Sequence, residues 1–118
     1  MRLNHLNLTV TDVRAAANFF ATYFGLHDMG GNAGMTVMSD LPEYSGMILT
    51  LMKAKPSTFK GYPETFHVGF FIEDRAEVDA LAARLRADGY TLNDPEDTGH
   101  SYGFYVNAPG GVVVEVGA

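Results

Sequence analysis

His5, His67 and Glu115 each interrupt a run of alternating apolar residues, where an imidazole or a carboxylate is costly unless something partners it. Imidazole and carboxylate are also the donors left to a divalent transition metal when thiolate is absent, and the chain has no Cys. The two histidines lie 62 positions apart, and each opens the same progression of strand, Asp and amphipathic helix. Taken singly, each has a plainer reading as a hydrogen-bonded His at a strand end or an exposed Glu. Matching places in a duplicated unit point instead to one metal site. Two imidazoles and one carboxylate leave positions open on an octahedral ion, which suits Fe(II) and also Mn, Ni, Co or Zn, and admits a substrate through two oxygens. The chemistry open to such an ion is Lewis-acid activation of a carbonyl, enolate, epoxide or phosphonate oxygen, or activation of dioxygen.

The elements that must position these groups follow from periodicity. Leu3 to Val10 alternates, with Leu6, Leu8 and Val10 on one face and His5, Asn7 and Thr9 on the other. Thr11 or Asp12 caps a helix with apolar positions Val13, Ala17, Phe20 and Phe24, and Gly25 ends it. Short strands at about Met35 to Ser39 and Met47 to Lys53 close the first module, about residues 1–54. Residues 55–65, with Pro56, Gly61 and Pro63, read as a linker. The pattern restarts over about 66–118: a strand from Phe66 to Ile72, an Asp74/Glu77 capping box, a helix with the stripe Val78, Leu81 and Leu85, and Gly89 as its stop. Tyr90 to Leu92, Tyr102 to Val106 and Val112 to Val116 read as strands, the last two joined by Pro109-Gly110-Gly111. Each half is therefore a βαβββ unit within one α+β domain, whose paired modules form curved mixed sheets around a cleft. Matching the halves by their last strands puts Thr50 over Glu115, so His5 and Thr50 correspond to His67 and Glu115.

Composition narrows the partners. A formal charge of −6 disfavours nucleic acid and anionic membrane, which need an excess of Lys and Arg, and favours a small neutral or cationic molecule. No basic and apolar leader and no apolar run of spanning length stand in the sequence, so a cytoplasmic location is expected.

The segments His5-Leu6-Asn7-Leu8-Thr9-Val10-Thr11-Asp12, Asn18-Phe19-Phe20, Phe24-Gly25-Leu26, Phe66-His67-Val68-Gly69-Phe70 and Phe104 to Gly111 running into Val114-Glu115-Val116 carry a resemblance over nearly the whole chain. With them the chain resembles the vicinal oxygen chelate superfamily, which groups glyoxalase I, extradiol dioxygenases, fosfomycin-resistance thiol transferases, methylmalonyl-CoA epimerases and bleomycin-binding proteins. The resemblance implies paired βαβββ modules around a divalent metal, with His5, His67 and Glu115 at ligand positions. It also implies a homodimer, in which His5 of one subunit joins His67 and Glu115 of the other. Thr50 stands where glyoxalase I and the epimerases have a carboxylate or amide ligand, and Thr is a poor base and a poor ligand. A glyoxalase I activity is thereby disfavoured. Asn93 to Gly103 holds Asp94, Glu96 and Asp97 without Lys or Arg, which disfavours fosfomycin as substrate.

The expected function is a small metal-dependent enzyme of lyase, dioxygenase or thiol transferase type, with Thr50 and Tyr105 beside the metal ligands as hydrogen-bonding catalytic groups by strand position. The alternative is a non-catalytic protein of the bleomycin-resistance kind that sequesters an aromatic or cationic drug. Acidity and 8 Phe with 6 Tyr favour the alternative, and the intact ligand set counts against it. His27 and His100 read as surface or loop residues, the Met residues of the first module as packing, and Arg75, Arg84 and Arg86 with Glu73, Glu77 and Asp79 as the solvated side of the second helix.

Overall fold

Strand β1 (His5–Val10) buries Leu8 and Val10 and turns His5, Asn7 and Thr9 the other way, as alternation requires. Asp12 then caps helix α1 (Val13–Phe24) by accepting the Ala15 N–H at 3.0 Å, and Gly25, at φ 66°, stops it in the left-handed conformation that Gly adopts without strain. The helix buries Val13, Ala16, Ala17, Phe19 and Phe20 against β3 (Met35–Ser39) and β4 (Ile48–Lys53). Each such large side chain removed from water contributes about 1.5–3 kcal/mol. With β2 (His27–Gly31) the strands lie in the order β1-β4-β3-β2, β1 parallel to β4 and the other pairs antiparallel.

The computed structural model describes residues 1–118, and these make two compact units, Met1–Gly61 with Pro109–Gly111, and Tyr62–Ala108 with Val112–Ala118. The second unit repeats the first. It runs β5 (Val68–Phe71), α2 (Arg75–Ala87), β6 (Glu96–Asp97), β7 (Tyr102–Ala108) and β8 (Val112–Gly117), in the sheet order β5-β8-β7-β6 with β5 parallel to β8. Val78, Ala82 and Leu85 of α2 are buried, as are Phe104, Val106, Val114 and Val116 of the sheet. The class is α+β, two mixed four-stranded sheets each carrying one helix. No helix is long and apolar enough to cross a membrane.

Several elements differ from expectation for local reasons. His27-Asp28-Met29-Gly30-Gly31 has no apolar alternation, yet β2 forms because β3 offers it a free edge. Tyr90 to Leu92 contributes only a bridge from Leu92 to Val106, and the outer strand is Glu96–Asp97, beyond Pro95, which has no N–H to give to a ladder. Asp74 caps α2 through the Ala76 N–H at 2.8 Å rather than through Glu77, whose N–H goes to the Asp74 carbonyl at 3.1 Å. Phe66 and His67 precede β5 instead of opening it, because the Phe66 N–H closes a turn on the Pro63 carbonyl at 3.0 Å.

One clamp occurs in both units. Arg14 reaches Asp28 of β2 at 3.0 Å, and Asp28 also accepts the Gly30 N–H at 2.9 Å. Arg75 reaches Asp97 of β6 at 3.0 Å, and Asp97 accepts the Gly99 N–H at 2.9 Å. These bonds tie each helix start to its outer strand, and they hold both carboxyls below the usual aspartate value, the backbone N–H first and the Arg next among the lowering causes. The charged residues of α2 are therefore not simply solvated, since Arg86 also holds Asp94 and Asp79 accepts from the Tyr102 hydroxyl at 2.6 Å.

Candidate functional site

Glu115 sits in β8 between the buried Val114 and Val116, so alternation turns its carboxylate to the face of the sheet away from α2. The two neighbouring strands supply what stands opposite it. Register places Tyr105 of β7 across from Glu115 on one side and Gly69 of β5 on the other, two residues beyond His67. The Tyr105 hydroxyl donates to Glu115 Oε1 at 3.0 Å, and His67 Nε2 lies 3.0 Å from Glu115 Oε2. The His67 and Tyr105 rings meet edge to face with centroids 5.6 Å apart. The Tyr105 N–H is fixed in turn by Asn93 Oδ1 at 2.8 Å. All three side chains remain reachable from solvent, His67 at 40% and Glu115 at 29% exposure.

The hydrogen bonding of His67 tests whether this corner fits a metal. Nδ1 lies 3.0 Å from the Thr65 carbonyl, which can only accept, so Nδ1 carries the proton and Nε2 is the nitrogen left for a second partner. Nε2 then faces a carboxylate oxygen, again an acceptor. A proton between the imidazole and the carboxylate satisfies this contact, and so does a metal ion shared with Glu115. Donors about 2.1 Å from one ion and at right angles stand about 3 Å apart, the separation these two atoms have. The corner fits a divalent ion. The bond to Glu115, followed by burial and the carboxylate charge, pushes the Tyr105 hydroxyl above its ordinary value, so Tyr105 is a protonated donor.

The other sequence candidates fall in the first unit. His5 stands at the start of β1 with Nδ1 2.8 Å from Asn4 Oδ1. Thr50, half-buried on β4, lies across from Asn7 and Val37. The register therefore reproduces the equivalence read from the sequence: Asn7 opposes Thr50 as Gly69 opposes Glu115. No group of three His, Asp or Glu side chains that could hold a metal occurs in the chain, and within the second unit His67 and Glu115 form a pair. His100 is exposed in the turn after Asp97, and His27 is exposed at the start of β2. Residues that periodicity does not single out are Asn93, Thr65 through its carbonyl, and Gly69, although a Gly inside a strand is itself a signal of close approach.

Two recesses adjoin the corner. One, of about 420 Å³, is lined by Glu64, Thr65, Phe66, His67, Tyr105 and Val113. The other, of about 220 Å³, lies on the β5 side of Glu115, with Gly69, Phe70, Phe71, Ser101 and Gly117.

Comparison with known proteins places this geometry. The family model of the Glyoxalase/Bleomycin resistance protein/Dioxygenase superfamily matches residues 2–116. An uncharacterized protein of Pseudomonas aeruginosa is 30% identical over 119 residues, spanning 96% of this chain and 85% of its own. A possible glyoxalase from Bacillus cereus superposes with a TM-score of 0.89 at 45% identity, covering 100% of this chain and 99% of that one. Lactoylglutathione lyase from Agrobacterium tumefaciens superposes at 0.74 with 23% identity over 98% of this chain and 92% of its own. A genomically encoded fosfomycin resistance protein from Listeria monocytogenes superposes at 0.78 with 18% identity over 100% and 93%. The last two likenesses are of fold alone.

Proposed function

This chain belongs to the Glyoxalase/Bleomycin resistance protein/Dioxygenase superfamily, and on that premise we propose that it is a small divalent-metal-dependent enzyme whose substrate is chelated through its own oxygens. His67 and Glu115 hold the ion with His5 as the third ligand. The ion, Fe, Mn, Ni, Co or Zn, supplies Lewis-acid polarisation of a substrate oxygen or activation of dioxygen. The observation that carries the reading is the pair of His67 Nε2 and Glu115 Oε2, 3.0 Å apart with the imidazole oriented by the Thr65 carbonyl, which is the spacing of two donors to one ion.

The chain's own residues have separable tasks. The Thr65 carbonyl fixes the imidazole tautomer and orientation. Tyr105 steadies the carboxylate by donating its one hydroxyl proton to Oε1, and its oxygen is left to accept a hydrogen bond from a substrate group arriving beside Glu115. Thr50 has a hydroxyl at the register position of Glu115, suited to hydrogen bonding and not to proton abstraction. The possible glyoxalase at 45% identity supports an enzyme over a drug-sequestering protein, while Thr50 favours dioxygenase or transferase chemistry over that of glyoxalase I.

Elemental analysis of protein purified without chelator tests the reading. About one divalent ion per chain is expected in the wild type and little in a His67→Ala/Glu115→Ala double variant; equal content in the two proteins rejects it. His5 is supplied by a second copy in a homodimer. Mixing His5→Ala subunits with Glu115→Ala subunits then restores one complete ligand set per mixed dimer, whereas ligand sets confined to one chain restore none.

A further inference from the structure

Gly69 is a glycine without a backbone reason. Its φ is not positive and it lies within a strand, where Gly weakens the sheet. Gly117, at the end of β8, is buried instead, with Ser101 Oγ 3.3 Å from the place its Cβ would take. A Cβ on Gly69 would meet nothing closer than Glu115 Oε2, at 3.8 Å, an ordinary contact. At the equivalent positions of the first unit, fixed by the pairs Asn7↔Thr50 and Thr9↔Met52, the chain has Asn7 and Met52. Their side chains touch, Asn7 Nδ2 to Met52 Sδ at 3.8 Å, and so cover that part of their sheet. In the second unit Gly69 leaves its part of that area open, and the recess of about 220 Å³ lies there.

The recess has a ring-like capacity and an aromatic wall. An apolar cavity of about 150 Å³ accepts benzene, so the space is sufficient for one ring. Phe71, across from Gly117 in the register, is 76% exposed and lines the recess, so a ring entering it has an aromatic face to lie against. Lys and Arg are missing from the lining, and the one charge is Glu115, which disfavours an anionic occupant. We infer that Gly69 opens a specificity pocket beside Glu115 for a flat aromatic group on the substrate, with Phe71 against its face. The inference rests on the metal-site reading for the placing of the substrate oxygens, and makes the substrate class aryl compounds that chelate through adjacent oxygens.

Two probes separate the pocket from the metal site. Cobalt(II)-loaded protein is titrated with acetohydroxamic and benzohydroxamic acids, which chelate alike and differ in the ring, while the cobalt absorption is followed. The wild type binds the benzoyl compound at least about tenfold more tightly, and Gly69→Leu, which fills the recess, removes that preference while keeping cobalt and acetohydroxamate binding. Metal-free protein is then mixed with 4-fluorobenzyl alcohol, whose fluorine resonance broadens with the wild type and stays sharp with Gly69→Leu. Gly69→Ala, which the structure admits without a clash, gives an intermediate effect in both tests and stands in should the Leu variant not fold. No ring preference in the wild type, or an undiminished one in the Gly69 variants, overturns the pocket. Cobalt that does not bind, with fluorine broadening that depends on Gly69, overturns the metal site and leaves the pocket standing.

Discussion

Thr50 and Glu115 occupy one register position in two sheets built alike, and the neighbourhoods of the two residues differ almost completely. Around Glu115 stand Tyr105, Gly69, Gly117 and the preceding His67; around Thr50 stand Val37, Asn7, Met52 and the preceding His5. What holds the units up is duplicated: strand order, the parallel inner pair, an Asp cap on each helix and the clamp from helix start to outer strand. The scaffold is thus shared, and the polar chemistry is concentrated in one repeat. Side chains on the exposed face of a half-buried sheet contribute little to folding, so that face can diverge without cost to the architecture beneath it.

The largest effect expected from breaking this contrast is on metal affinity. Glu115→Ala lowers it by more than about 100-fold, measured by competition with a chromogenic chelator, whereas Thr50→Ala changes it by no more than about twofold. Comparable losses from the two variants would mean that Thr50 is a ligand as Glu115 is. Tyr105→Phe removes the bond to Glu115 Oε1 and lowers metal affinity by roughly tenfold. It also simplifies the alkaline titration of the tyrosines: since the folded value of Tyr105 lies above the ordinary one, its bond to Glu115 is complete below the unfolded value and is lost as pH rises through the folded one. A tyrosinate absorbance titration in which the variant lacks one late-titrating group checks this.

Changes to the shared devices should act alike in both units. Asp12→Ala and Asp74→Ala each remove a helix cap and cost about 1 kcal/mol in urea denaturation. A several-fold difference between them would show that the units do not unfold together. Asp28→Asn is smaller, at most about 1 kcal/mol, because an exposed ion pair is screened by water. Asp28 titrates below its ordinary value when folded, so its contribution is complete above the unfolded carboxylate value and disappears as pH falls through the folded one. Thermal melts of wild type and variant should therefore differ at neutral pH and converge in strong acid. Asp97→Asn follows the same direction.

Alternation and caps made much of this readable in advance. Asp12 and Gly25 bound α1 as the sequence indicates, because capping is local chemistry. Strand β2 is not readable, since Met29 is its only large apolar residue and its partner β3 is what makes it a strand. For the outer strand of the second unit, apolar Tyr90 and Leu92 suggest a position that Pro95 and the Arg75 clamp move to Glu96–Asp97. His67 and Glu115 were singled out as polar residues in apolar runs, but the hydroxyl bond from Tyr105 depends on which residue register sets across from Glu115.

The amino-acid order alone fixed the duplicated βαβββ pattern, the helix ends, and which side of each strand carries His5, Thr50 and Glu115, because these follow from periods of 2 and 3.6 residues. Folding into sheets decided the rest. Only the pairing of β8 between β5 and β7 sets Glu115 3.0 Å from both His67 and Tyr105, and only the same pairing sets Gly69 across from the carboxylate, where it leaves an opening. Distances across a sheet belong to register, which neighbouring strands settle jointly and no single strand contains.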